Sequence, residues 1–181
     1  VLPAYIARSL SLMLGPDFAK EFGLKKLPAD KEAEIAKYKA LATPAAFARV
    51  DVSSGRKLYQ TICSACHVMY GEGGKIGPEL TGSNRADLNY LLLNILYPSD
   101  DIADSYKMVT ITTKDGRTLA GNVSEEDKQK VVLNMIGQKT TIPKSDIKSR
   151  TVSNFSMMPA GLLQTLKNDE VVALFKYMQT K

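Results

Sequence analysis

The sequence predicts a mainly α fold: a helical domain with a small β-rich insertion and an N-terminal helical extension. Three observations carry that expectation. Apolar residues recur at helical spacing in Leu88, Leu91, Leu92, Ile95 and Leu96, and again in Val171, Leu174, Phe175 and Met178. The stretch Ala29 to Leu41 is rich in helix formers and has few breakers. Between the two apolar stripes lie short β-branched runs separated by turn residues. The boundaries read as 1–50 for the extension and 51–181 for the main domain, interrupted by an insertion at 107–150.

Taken in order, Pro28 suits a first-turn position of the early helix, and Pro44 ends it. Ser53 or Ser54 can cap a short helix running toward Cys63, with Leu58 and Ile62 on one face. A glycine-rich loop, Gly71 to Gly77, follows. Asn84, with Asp87 three residues on, can cap the next helix, which Pro98 stops. In the insertion, Val109–Thr113 and Thr118–Val123 flank Lys114, Asp115 and Gly116. A two-residue turn would put Ile111 and Leu119 on opposite faces. A three-residue loop with Gly116 left-handed pairs Ile111 with Leu119 and Val109 with Gly121, so the apolar residues share a face. Two more strands are expected, Lys130–Met135 and Thr140–Pro143, and four short strands would suit a small barrel. Asn168 can cap the final helix, whose apolar stripe reads as core packing.

Composition narrows the function classes. The chain is 44% hydrophobic and 24% charged, as in soluble globular proteins. Its longest apolar run, Tyr90 to Tyr97, is broken by Asn94 and falls far short of the ~20 residues of a membrane span. No signal peptide is read in it, and a start at Val1 suggests a processed chain or a fragment. The net charge is +5. Lys and Arg are scattered among acids and there is no Trp, which argues against nucleic acid. The basic balance fits a solvated surface, or a docking face for an acidic protein.

Two cysteines and the single histidine fall within five positions. Cys63-Ser64-Ala65-Cys66-His67 is C-x-x-C-H, the attachment signature of c-type haem. Two thiols on one turn can bond the two vinyl groups of the porphyrin, and the adjacent imidazole can then ligate the iron. A thioredoxin-like pair would follow a strand, whereas a helix precedes this one. A closed zinc site wants four ligands, and the chain owns only three Cys and His residues in all. Two plain buried cysteines are the remaining alternative. Downstream, a carbonyl in the Gly77-Pro78 loop can accept from the second ring nitrogen of His67 and fix its tautomer.

A sixth ligand must come from elsewhere, since no second histidine exists. The soft candidates are methionines: Met13, Met69, Met108, Met135, Met157, Met158 and Met178. Met69 lies too near the attachment turn, and Met178 fits an apolar helix face. Met157 and Met158 sit in a non-helical loop before Pro159, which stiffens it; either also serves as a core gap-filler.

The order of helix, C-x-x-C-H, Gly-Pro-x-Leu-x-Gly loop, helix, methionine loop and terminal helix resembles class I cytochrome c. More closely, residues 52–179 resemble the haem-binding domain family of planctomycetes and verrucomicrobia. The matching motifs include Gly55-Arg56-x-x-Tyr59, Gly71 to Pro78, Thr112 to Arg117, Ile142-Pro143-x-x-Asp146-Ile147 and Ser156-x-Met158-Pro159-x-Gly161-Leu162. In that family the ligand methionine precedes proline, which selects Met158. The resemblance implies one covalent haem c with iron held by His67 and Met158, cofactor contacts from Cys63, Cys66 and Pro78, and an electron-accepting module. Redox proteins, a dehydrogenase among them, are the expected partners. Covalent haem attachment takes place outside the cytoplasm, so a periplasmic or other extracytoplasmic location is expected. An enzyme would place an acid–base group over the iron, and histidine, the usual choice, is absent. The expectation is therefore an electron carrier and no enzyme. A haem-based ligand sensor or weak haem enzyme is the alternative, and a binding module using the β insertion is a third.

Overall fold

The computed structural model describes residues 27–180. Three helices open it: α1 (Ala29–Leu41), α2 (Pro44–Arg49) and α3 (Val52–Ile62). Pro44 both stops the first and starts the second, because proline lacks an N–H that a first helical residue does not need. The Thr43 hydroxyl accepts from the Ala46 amide at 3.1 Å. α3 is capped by Asp51 rather than by a serine, and its carboxylate accepts from the Ser53 amide at 3.1 Å. Two short strands, β1 (Val68–Met69) and β2 (Glu72–Gly73), pair in the loop after the attachment turn. α4 (Leu88–Leu96) starts at Asp87, whose carboxylate accepts from the Asn89 amide at 2.8 Å; Asn84 lies one turn too early to cap it. α5 (Asn168–Met178) takes Asn168 as its first residue, and the Lys167 amide donates back to Glu170 Oε2 at 2.7 Å.

The helices close one core around Tyr59, Met69, Leu91, Leu92, Leu163, Leu174 and Phe175. Its tightest crossing joins α3 to α5. A Cβ on Gly55 would lie 2.0 Å from the Ala173 carbonyl oxygen, so only glycine lets the two backbones approach. Tyr59 fills the groove beside it, its ring 5.6 Å from that of Tyr177. The last turn of α5 is fastened by Arg85, which is buried, donates to the Met178 carbonyl at 2.6 Å and lies over the Tyr70 ring.

The expectation of a mainly α fold is overturned. The described chain is 39% helix and 27% strand, with a five-stranded antiparallel sheet. The strands are β3 (Lys107–Thr113), β4 (Thr118–Glu126), β5 (Lys130–Met135), β6 (Gln138–Pro143) and β7 (Ile147–Ser156). They run in the order β6-β5-β4-β3-β7. β7 is the largest single part of the shortfall. Among the described residues it pairs with β3 alone, which makes it an edge strand, and most of its residues are exposed. A polar edge strand lacks the apolar alternation by which strands are read in sequence. β6 forms the opposite edge, and no ladder joins it to β7, so the sheet is open rather than a barrel. The hairpin register is as expected: Ile111 faces Leu119, Val109 faces Gly121, and Gly116 has φ of 90°. Val109, Ile111, Val131, Leu133 and Ile142 form a second core within the sheet. Among the described residues no helix is long and apolar enough to cross a membrane.

Candidate haem-binding site

Cys63 ends α3, its amide donating to the Tyr59 carbonyl at 2.8 Å. The chain then makes a tight turn, with the amides of Cys66 and His67 donating to the Cys63 carbonyl at 3.1 and 3.0 Å. Both thiols are free and half-buried. Burial pushes the Cys63 thiol up to about 12, with the neighbouring Cys66 adding to the effect. Burial also raises Cys66. Both are therefore held as thiols rather than thiolates, which sets them apart from the acidic cysteines of redox catalysts.

His67 is the most constrained side chain of the turn. Its Nδ1 lies 2.8 Å from the Pro78 carbonyl oxygen. A carbonyl can only accept, so Nδ1 carries the proton and Nε2 is left as the lone-pair nitrogen. Burial lowers the pKa of the ring, against the opposing pull of the Pro78 carbonyl. A neutral imidazole with one oriented lone pair is the form that binds a metal. Gly77 permits this approach, since a Cβ there would sit 2.5 Å from His67 Cε1. The Tyr59 hydroxyl donates to the His67 carbonyl at 2.9 Å, so the core aromatic of α3 also fixes the backbone of His67.

Close glycine contacts hold the loop against the turn. A Cβ on Gly73 would lie 2.1 Å from the His67 carbonyl oxygen, and one on Gly74 2.0 Å from that of Ala65. The Gly74 amide donates to Ser64 and that of Gly77 to Cys66, both at 2.7 Å. Among the described residues no cluster of three or more His, Cys, Asp or Glu side chains is arranged to hold an ion, so the turn offers no zinc cage. A planar group bonded by two thiols and ligated by one nitrogen fits it.

Residues 52–181 match the family described as Cytochrome c. The chain belongs to the cytochrome c family. Haem binding, with its iron, and electron transport follow from that membership. No curated protein matches the chain.

In this cytochrome c domain the other expected site residue, Met158, stands on the loop after β7. Its amide donates to the Ser156 hydroxyl at 3.1 Å, and its half-buried side chain packs against the helical core, as do those of Cys63 and Leu80. Met69 and Met178 are buried within that core, and Met135 packs on the sheet. Met13 lies outside the described residues. Three participants were not legible from motif spacing: the Tyr59 hydroxyl, and the amides of Asn122 and Asn134. Asn122 donates to the Ile76 carbonyl at 2.8 Å and Asn134 to that of Lys75 at 2.5 Å. Each contact spans more than forty positions, and no local pattern announces it.

Proposed function

We propose that this cytochrome c domain carries a single haem, attached through thioethers at Cys63 and Cys66 and ligated by His67 and Met158, and passes electrons without catalysing a reaction of its own. The observation that supports this reading best is the 2.8 Å contact between His67 Nδ1 and the Pro78 carbonyl. It fixes the tautomer, leaves the lone pair on Nε2 and raises its basicity as a ligand. Bound haem supplies a one-electron couple; the protein supplies attachment, an oriented nitrogen and a soft sulfur.

Met158 is favoured over Met157 by its packing on the core that also holds Cys63. Its thioether is neutral and soft, which suits ferrous iron and raises the potential. A raised potential suits an acceptor module serving a dehydrogenase, in an extracytoplasmic compartment. The same reading places the chain with the planctomycete and verrucomicrobial haem-binding domains. The basic surface suits an acidic redox partner.

The test begins with intact mass and a pyridine haemochrome spectrum of chain made alongside the haem-attachment machinery. One haem retained after denaturation is expected; colourless protein would sink the proposal. Met158→Ala should then remove the far-red sulfur-to-iron band of the oxidised protein, lower the potential and admit carbon monoxide. Met157→Ala should do none of these. Rapid carbon monoxide binding to unmutated ferrous protein would instead favour a ligand sensor.

A further inference from the structure

The segment Gly74–Pro78 lies between two surfaces. On one side its amides reach the Cys63–His67 turn, through Gly74 to Ser64 and Gly77 to Cys66. On the other side it meets the sheet. Asn122 on β4 and Asn134 on β5 are direct partners in the strand register. They stand side by side and donate to consecutive carbonyls, Ile76 at 2.8 Å and Lys75 at 2.5 Å. Asn122 is 5% exposed, and the same amide nitrogen reaches the Ser105 carbonyl at 3.4 Å. Its Oδ1 has no hydrogen-bond partner among the described residues. Turning the amide over would set that oxygen against two carbonyls, so the orientation with nitrogen toward Ile76 is the one the surroundings require. Burying an unsatisfied oxygen costs free energy, and the structure accepts that cost at the residue that holds the loop. Ile76 itself is buried. Lys75 and Ile76 immediately precede Gly77, whose bare Cα lies under the imidazole, and Pro78, whose carbonyl accepts from Nδ1.

We propose that Asn122 and Asn134 are positioning residues for His67: by pinning the Lys75 and Ile76 carbonyls they hold the Pro78 carbonyl on Nδ1, and the sheet thereby sets the reduction potential of the haem. This rests on His67 being the iron ligand. The chemistry has a sign. A firm hydrogen bond from Nδ1–H to a carbonyl makes the imidazole a stronger donor and favours ferric iron. Loosening the acceptor weakens that bond and raises the potential. A purely structural role for the two asparagines would lower stability and leave the iron unaffected.

The test uses the full haem-loaded chain. Asn134→Ala and Asn122→Ala should raise the reduction potential. They should also speed exchange of the His67 Nδ1 proton, read by NMR in the ferrous protein. Asn134 is the more exposed of the two, so Asn134→Ala gives the answer even where the buried substitution fails to fold. Leu133→Ala, in the sheet core beside Asn134, is the control: it should lower the melting temperature and leave both readings as they were. A haem-loaded Asn134→Ala protein with unchanged potential and exchange would overturn the coupling alone, as would a Leu133→Ala protein that shifts them as far. A wild-type chain that takes up no haem would overturn the coupling together with the reading beneath it.

Discussion

Replacing Gly77 by alanine would drive a methyl group to within 2.5 Å of the His67 ring. The imidazole or the loop must then move, and forced shifts of this kind cost about 1–3 kcal/mol. Gly77→Ala should lower the urea midpoint and the haem incorporated per chain; wild-type values for both would refute the contact. At this scale much was legible in advance. C-x-x-C-H at residues 63–67 is a chemical constraint written in consecutive positions, and the Gly77-Pro78 acceptor follows from what a ligating histidine needs. The Tyr59 hydroxyl was not legible, because its sequence signal is that of a core aromatic and its partner is a backbone carbonyl. Nor were Asn122 and Asn134, since asparagine in a strand announces no partner.

Individual elements were read well where packing dictates sequence. α1 and β5 fall at their expected limits, and the Lys114–Gly116 loop closes as the apolar pairing requires. Caps were displaced because several Ser, Asp and Asn residues compete at each helix start, and geometry chose Asp51 and Asp87. β7 was missed because an edge strand can be polar on both faces. The ladder to β3 holds β7, and a charge cluster braces it. Glu126 on β4 accepts from Arg150 on β7 at 2.9 Å and pairs with Lys144 at 2.8 Å. These contacts hold its carboxyl below the ordinary 4.5, the Lys144 hydrogen bond foremost. A carboxyl depressed in the folded chain stabilises it above 4.5, and the contribution is lost as pH falls through the lower folded value. Glu126→Gln should therefore narrow its stability gap to wild type on acidification below pH 4.5. High salt should narrow the gap at neutral pH, because the group is partly exposed. Thermal melts across pH and salt check both; a gap constant in pH would count against the pairing.

The molecule as a whole consists of two cores, one among the helices and one in the sheet, joined where Asn122, Ile76 and Asn134 meet. Contact between the two parts was beyond the reach of sequence periodicity, which reports the face an element buries and not the element it meets. The helical part depends on residues near its two ends. Gly55→Ala places a methyl group against the Ala173 carbonyl and should cost about 1–3 kcal/mol, read as a lower urea midpoint; an unchanged midpoint would refute the crossing. That crossing also has a consequence for how the protein is made. A nascent chain emerges N-terminus first, so the turn at residues 63–67 is synthesised well before Ala173. Through that interval the Gly55 face has no partner, and the whole sheet is made within it. The turn thus waits on α5, the last of the described elements to be made, for the neighbour that covers the Gly55 face of α3.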